Sequence, residues 1–262
     1  MTPAQVAALG LVQGVAEVVP VSSSAQLVLV PWLLGWEPPP DRTTFAAGLH
    51  AGSCLGLAWT LRHDLLALDR RTCALVAAAS VPAAAAGFVA ADVVEQRLGR
   101  PSQLAALLAG AGVLLWWADA RGEHRAQGSA DPPVTRVGAR QAALAGLAQV
   151  AALVPGVSRS GASLTALRLA GVERETAQRF TLLLSLPVTA GAAALTLART
   201  PRAALGPALR LLAPGALTAA LAGAGSVTLL RGRGAGSVAA AALYRLGIAV
   251  VVARRPSRGG EL

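Results

Sequence analysis

Six apolar runs, each near the length needed to cross a bilayer, most constrain how this chain can fold. They are Phe45–Leu61, Cys73–Ala91, Leu104–Ala118, Phe180–Ala198, Leu209–Leu230 and Ser237–Ala253. A helix rises about 1.5 Å per residue, so about 20 apolar residues cover a hydrocarbon core about 30 Å thick. Charged gaps separate the runs, such as Arg62–Arg71 and Asp92–Arg100. The longest gap, Asp119–Arg140, is polar and proline-containing, and it divides a single membrane domain (1–262) into halves of approximately 1–120 and 138–256. Only 14% of residues are charged, against about 25% in a soluble domain. So few charges cannot cover a water-facing surface when 54% of the chain is hydrophobic and mean hydropathy is +0.56. Lipid is the natural solvent, and a large Ala-rich soluble protein is disfavoured.

The net charge is +10, and all 23 basic residues are arginine. They form no dense stripe and are not interleaved with aromatics, so they read as membrane-flanking charge rather than a nucleic-acid surface. Arginine is slightly richer in the gaps around 62–71, 121–140, 168–179 and 231–233. The positive-inside bias makes that face cytoplasmic and puts both termini outside. Cys54 and Cys73 form no metal motif and read as packing residues. No basic residue precedes Arg42, and Gln13 and Glu17 interrupt the first apolar stretch. That stretch is expected to belong to the mature protein rather than to a cleavable signal.

Two further apolar stretches are not simple spans. Pro3–Trp36 is interrupted by Pro20-Val21-Ser22-Ser23-Ser24, and Ala139–Ala170 by Pro155-Gly156-Val157-Ser158-Arg159-Ser160-Gly161. Each flank is too short to cross, so a helix–break–helix hairpin that enters and returns on one side is expected. Non-helical backbone at membrane depth survives only where protein or a water-filled cavity satisfies it. The breaks look like copies: Gly10-Leu11-Val12-Gln13 matches Gly146-Leu147-Ala148-Gln149, and at the same offset Ser22 and Ser24 match Ser158 and Ser160. Each half then holds one hairpin and three spans. An odd number of spans sends the second hairpin in from the opposite face, so the repeat is inverted, with its site expected near the midplane. The expected fold is all-α and polytopic: about six transmembrane helices plus two re-entrant hairpins.

The chemistry concentrates at the breaks. Glu17 is the only acidic residue before Glu37, and a carboxylate in an apolar segment is a functional candidate by default. Gln13 lies one helical turn earlier on the same face. Ser22, Ser23 and Ser24 offer more hydroxyls than one helix cap needs. Arg159, between Ser158 and Ser160 and followed by Gly161, can clamp phosphate oxygens at a helix N-terminus. A carboxylate, hydroxyls, an arginine and two helix N-termini suit a phosphate ester whose tail lies in lipid. Glu17 could act as a base or hold a divalent cation such as Mg²⁺ or Ca²⁺; a serine could be a nucleophile or a phosphate ligand.

At these residues the chain resembles the undecaprenyl-diphosphate phosphatase family of the bacitracin-resistance type. The resemblance rests on Leu9-Gly10-Leu11-Val12-Gln13-Gly14-Val15-Ala16-Glu17, on Val19-Pro20-Val21-Ser22-Ser23-Ser24, and on Pro155 to Ser163. It implies a multi-pass bacterial plasma-membrane enzyme whose site looks outward. Its substrate would be undecaprenyl diphosphate, hydrolysed to the monophosphate to recycle the lipid carrier for cell-wall synthesis. Carried over by position, Glu17, Ser23 and Arg159 are the motif glutamate, serine and arginine. Gln13, Ser22, Ser24, Gln26, Ser158, Ser160 and Gly161 are the expected phosphate contacts. Members typically carry histidine where this chain has Gln26, and commonly carry glutamine where it has His50. The exchange suggests that His50 supplies the imidazole, the bland alternative being a packing residue. A polyprenyl-phosphate transporter or flippase without hydrolysis is the second reading, and a homodimer stays open.

Overall fold

The computed structural model describes residues 1–39, 41–128, 134–231 and 236–255. Within them, α1 (Pro3–Val18) and α2 (Ser23–Leu34) flank the first break. α3 (Arg42–Thr60), α4 (Arg62–Leu66), α5 (Arg70–Arg97) and α6 (Pro101–Gly128) complete the first half. α7 (Ala139–Ala151) and α8 (Arg159–Leu169) flank the second break, followed by α9 (Arg174–Arg199), α10 (Arg202–Arg231) and α11 (Gly236–Arg254). The only β pairing among the described residues is an isolated bridge between Val134 and Val172.

Local chemistry accounts for the boundaries. A capping box opens α1: the Gln5 amide N–H donates to Thr2 Oγ1 and the Thr2 N–H donates to Gln5 Oε1, with Pro3 at the first helical position. Asp41 caps α3 by accepting from the Thr44 N–H at 3.0 Å. Gly35, at φ 68°, ends α2 in the left-handed conformation that glycine adopts without strain.

Each of the six expected spans falls on one helix, Leu61 alone lying just beyond the end of α3. Four stretches, Arg70–Ala90, Pro101–His124, Arg174–Arg199 and Leu209–Leu229, are long and apolar enough to cross a membrane. The other two lie in α3 and α11, 19 residues each, which carry buried polar residues: Thr44 and Ser53 on α3, Arg245 on α11. The gap expected from Asp119 onward is helical as far as Gly128. No proline follows Pro101 until Pro132, and polar residues do not stop a helix once it leaves lipid. The remainder of that gap at 129–133, and the tail from 256, lie outside the described residues.

Small residues set the packing. α10 lies against both α1 and α3. A Cβ at Gly10 would stand 2.1 Å from the Gly215 carbonyl oxygen, and one at Gly52 2.2 Å from that of Ala216. Backbones touch there, as small residues at four-residue spacing permit in lipid. Gly146 does the same for α7 on α5, 2.3 Å from the Ala79 carbonyl oxygen. Thus α1 meets α10 as α7 meets α5, and α3 meets α10 as α9 meets α5, while α3 pairs with α9 and α6 with α11. The helices after the breaks bury their apolar faces on the α6–α11 pair: Ala25 and Leu29 of α2 with Leu104, Leu108, Ala249 and Val252, and Leu164 and Leu167 of α8 with Leu115 and Val238. Leu55, Trp59, Phe88, Trp116, Leu217 and Leu243 stay exposed, as a surface wetted by acyl chains allows.

Candidate active site

The first break turns at Ser22 (φ 65°) and the second at Ser158 (φ 74°), the only non-glycine residues with positive φ among those described. Such a backbone costs about 1–3 kcal/mol per residue and persists where its surroundings hold it. Here the holding is visible. The Gly156 N–H donates to Ser22 Oγ at 3.1 Å, tying one break to the other. The Gly161 N–H donates to Ser158 Oγ at 3.2 Å, capping α8. Ser22 makes no such cap, so the first N–H groups of α2 are left uncapped.

Glu17, at the end of α1, is the hub. Its Oε1 accepts from Arg159 Nη2 at 3.0 Å and from the Thr189 hydroxyl of α9 at 2.9 Å. Its Oε2 accepts from Gln13 Nε2 at 2.9 Å and from the Ser23 hydroxyl at 3.3 Å. His50 Nδ1 stands 3.1 Å from the same Oε2 and 2.8 Å from Gln13 Nε2, so it either donates to the carboxylate or accepts from the amide. Glu17 is therefore held by residues from both breaks and from α3 and α9. It is almost fully buried, whereas Arg159 and His50 keep about a fifth of their side chains accessible.

These groups open on a cavity of about 830 Å³, whose polar wall includes Glu17, Ser22, Ser23, Ser24, His50 and Arg159, with Ser158 and Ser160 beside them. A second cavity of about 720 Å³ shares Ser24, Thr43 and His50 with the first. Its other walls are largely apolar, including Leu27, Val28, Trp32, Trp36 and Phe45.

Three expected phosphate contacts sit elsewhere. Gln13 is fully buried off the cavity and orients Glu17 and His50. Gln26 is turned the other way: Nε2 donates to the Val21 carbonyl at 3.1 Å, and Oε1 accepts from the Tyr244 hydroxyl at 2.8 Å. Its amide is spent within the protein because α2 packs that face on α11. Gly161 has its N–H committed to Ser158, and its missing side chain makes room for Arg245, whose Nη2 would lie 2.6 Å from a Cβ there.

Two site residues carried no sequence prediction. Thr189 follows Pro187 inside α9 and reaches Glu17. Gln149, on α7, lines the cavity with a buried Nε2 that has no hydrogen-bond partner. Its match to Gln13 was the available signal.

The residues do not by themselves fit a resident Mg²⁺ or Ca²⁺. Both oxygens of Glu17 are already engaged, and among the described residues no three His, Cys, Asp or Glu side chains group to hold a metal. Hard cations of this kind take several oxygen ligands.

Comparison with known proteins gives one consistent answer. Residues 6–251 match the family described as Bacitracin resistance protein BacA. An undecaprenyl-diphosphatase of Geobacter sulfurreducens is 40% identical over 242 residues, covering 86% of this chain and 87% of the relative. One from Moorella thermoacetica is 38% identical over 212 residues, 77% of this chain and 78% of the relative. One from Gemmatimonas aurantiaca is 36% identical over 269 residues, 96% of this chain and 97% of the relative.

Proposed function

The chain belongs to the bacitracin resistance protein BacA family, and on that premise we propose that it hydrolyses undecaprenyl diphosphate to undecaprenyl phosphate and inorganic phosphate. It is a membrane phosphatase that returns the lipid carrier to cell-wall synthesis. The observation that carries the reading is Glu17 joined at once to Ser23 of its own break and to Arg159 of the other. Nucleophile, base and phosphate clamp then face one cavity.

The terminal phosphate takes the place of Glu17 at the Arg159 guanidinium, with the uncapped N–H groups of α2 and the free Nε2 of Gln149 as further donors. Glu17 accepts the Ser23 proton as Oγ bonds to the terminal phosphorus. The phosphoanhydride bond breaks and undecaprenyl phosphate leaves with its electron pair. Water then bonds to the phosphorus of the phosphoserine and gives its proton to His50, while the phosphorus–Oγ bond breaks and Glu17 returns its proton to Ser23 Oγ, releasing inorganic phosphate. A divalent cation would arrive as counter-ion of the diphosphate. The apolar cavity beside the site suits the first isoprene units, and the rest of the tail lies among membrane lipids.

The paired contacts α1–α10 with α7–α5, and the matching φ values of Ser22 and Ser158, support a single membrane domain of two inverted halves. We place the site in the bacterial plasma membrane, where the lipid carrier is recycled, and the small arginine excess of the opposite face supports its facing outward. The relatives are named for hydrolysis, which does not favour transport alone.

The test is phosphate release from a long-chain prenyl diphosphate by the purified protein, with and without Mg²⁺ or Ca²⁺. Release that vanishes in Arg159→Ala is expected. No release in any condition, with lipid transport intact in vesicles, would overturn hydrolysis.

A further inference from the structure

Arg245 sits in the middle of α11 between Tyr244 and Leu246, with no break, proline or acidic neighbour to announce it. It is 0% exposed, among the largest fully buried side chains of the protein. A buried arginine ordinarily finds a carboxylate. Here no ion pair forms among the described residues. Instead Nε donates to the Pro20 carbonyl at 2.6 Å and Nη1 to the Val157 carbonyl at 3.4 Å, while Nη2 has no partner. Both carbonyls belong to the breaks, where no helical ladder takes them. The guanidinium also has a fitted slot. A Cβ at Gly112 would come within 3.1 Å of Arg245 Cβ, and one at Gly161 within 2.6 Å of Nη2.

Pro20 precedes Ser22 and Ser23, and Val157 precedes Ser158 and Arg159. One planar fork therefore spans the backbone that carries the hydroxyl and the backbone that carries the phosphate clamp. Lysine has no such planar fork, since its three donors radiate from one nitrogen. The neighbouring Tyr244 holds α2 through Gln26, so one turn of α11 braces the site from behind. From this geometry we propose that Arg245 is a positioning residue that locks the two breaks together and so sets the placement of Arg159 against Glu17 and Ser23. The proposal rests on the hydrolytic reading of the cavity, since it assigns Arg245 a part in turnover without contact to substrate.

Misplacing reacting groups by about 1 Å can cost about 100-fold in rate. Arg245→Met is therefore expected to lower kcat for a prenyl diphosphate about 10- to 100-fold with KM little changed. Arg245→Lys should recover part of the loss. Gly112→Ala, which crowds the arginine stem without removing it, should lower kcat in the same sense. Each is measured per folded protein, well below its melting temperature. In parallel, hydrogen exchange over residues 19–24 and 154–161 should speed up in Arg245→Met, including at the Gly156 N–H. That arm needs no substrate. If the wild-type protein releases no phosphate, hydrolysis fails as a function while exchange still decides whether Arg245 locks the breaks. Unchanged exchange, or wild-type kcat in folded Arg245→Met, overturns the proposal.

Discussion

Ser22 and Ser158 hold corresponding places in the two breaks and share a positive φ, but their hydroxyls do different work. Ser158 turns inward on its own helix and caps α8. Ser22 reaches across and holds the Gly156 N–H of the opposite break, leaving its own helix uncapped. The next position differs more. Where the first break has Ser23, the second has Arg159, and both meet at Glu17. Glu17 has no acidic counterpart in the second half, where the corresponding residues are Ala152 and Leu153. A shared backbone gives two inward turns. Unlike side chains divide them into a break that carries base and hydroxyl and a break that carries charge for the phosphate.

That division can be broken most severely by exchanging its halves. Ser23→Arg with Arg159→Ser keeps the composition but reverses the roles. Turnover should fall about 10³- to 10⁵-fold, the scale of losing an arginine that neutralises transferring phosphoryl. Phosphate release within tenfold of wild type would show that the asymmetry is incidental. Glu17→Gln removes the hub's charge and proton-accepting role, and turnover should drop about 10²- to 10⁴-fold in the same assay. The serines come next. Ser22→Ala strands a buried donor at Gly156, an effect of about 1–3 kcal/mol, and should lower turnover more than Ser158→Ala does. Ser158→Ala should cost about 1 kcal/mol of stability as a lost cap, read as a lower melting temperature with turnover per folded protein nearly kept. Equal kinetic effects of the two would erase the comparison. Gln26→His should have the smallest effect on turnover, because that side chain faces Val21 and Tyr244 rather than the cavity. A large gain in rate would place position 26 at the site after all.

The breaks were legible because proline, glycine and serine stand out in an apolar chain and because their spacing repeats. Glu17, Ser23, Arg159 and His50 do converge, and the exchange of residue types at positions 26 and 50 is the sequence signal for His50, which left a packing role equally open. The direction of Gln26 was not legible. Spacing along α2 puts it one turn after Ser23, but packing on α11 decides which way it points. Thr189, Gln149 and Arg245 stayed hidden for a related reason. Each lies in an apolar helix whose local sequence reports only burial, and what Thr189 and Arg245 bind and the cavity that Gln149 lines come from segments remote in sequence. The six apolar runs located helices correctly, yet they understated their lengths, because residues beyond the lipid keep the helix without keeping the hydropathy.

α8 is only 11 residues, about 16 Å long. Its first residue, Arg159, is bound to Glu17 of α1; near its last, Arg168 is bound to Asp119 of α6 at 2.8 Å, with Glu123 at 2.9 Å and the Val172 carbonyl at 2.8 Å. Mechanically the helix is a strut whose far end stays pinned to α6 while a phosphate takes over from Glu17 at its near end. A strut of that kind has no free lever arm. Any rocking of the second half that carries α8 must first extract a buried ion pair, and removing one partner of such a pair costs about 3–5 kcal/mol. Stiffness of this order suits a site that must hold two turns of backbone in register while a phosphate enters, reacts and leaves.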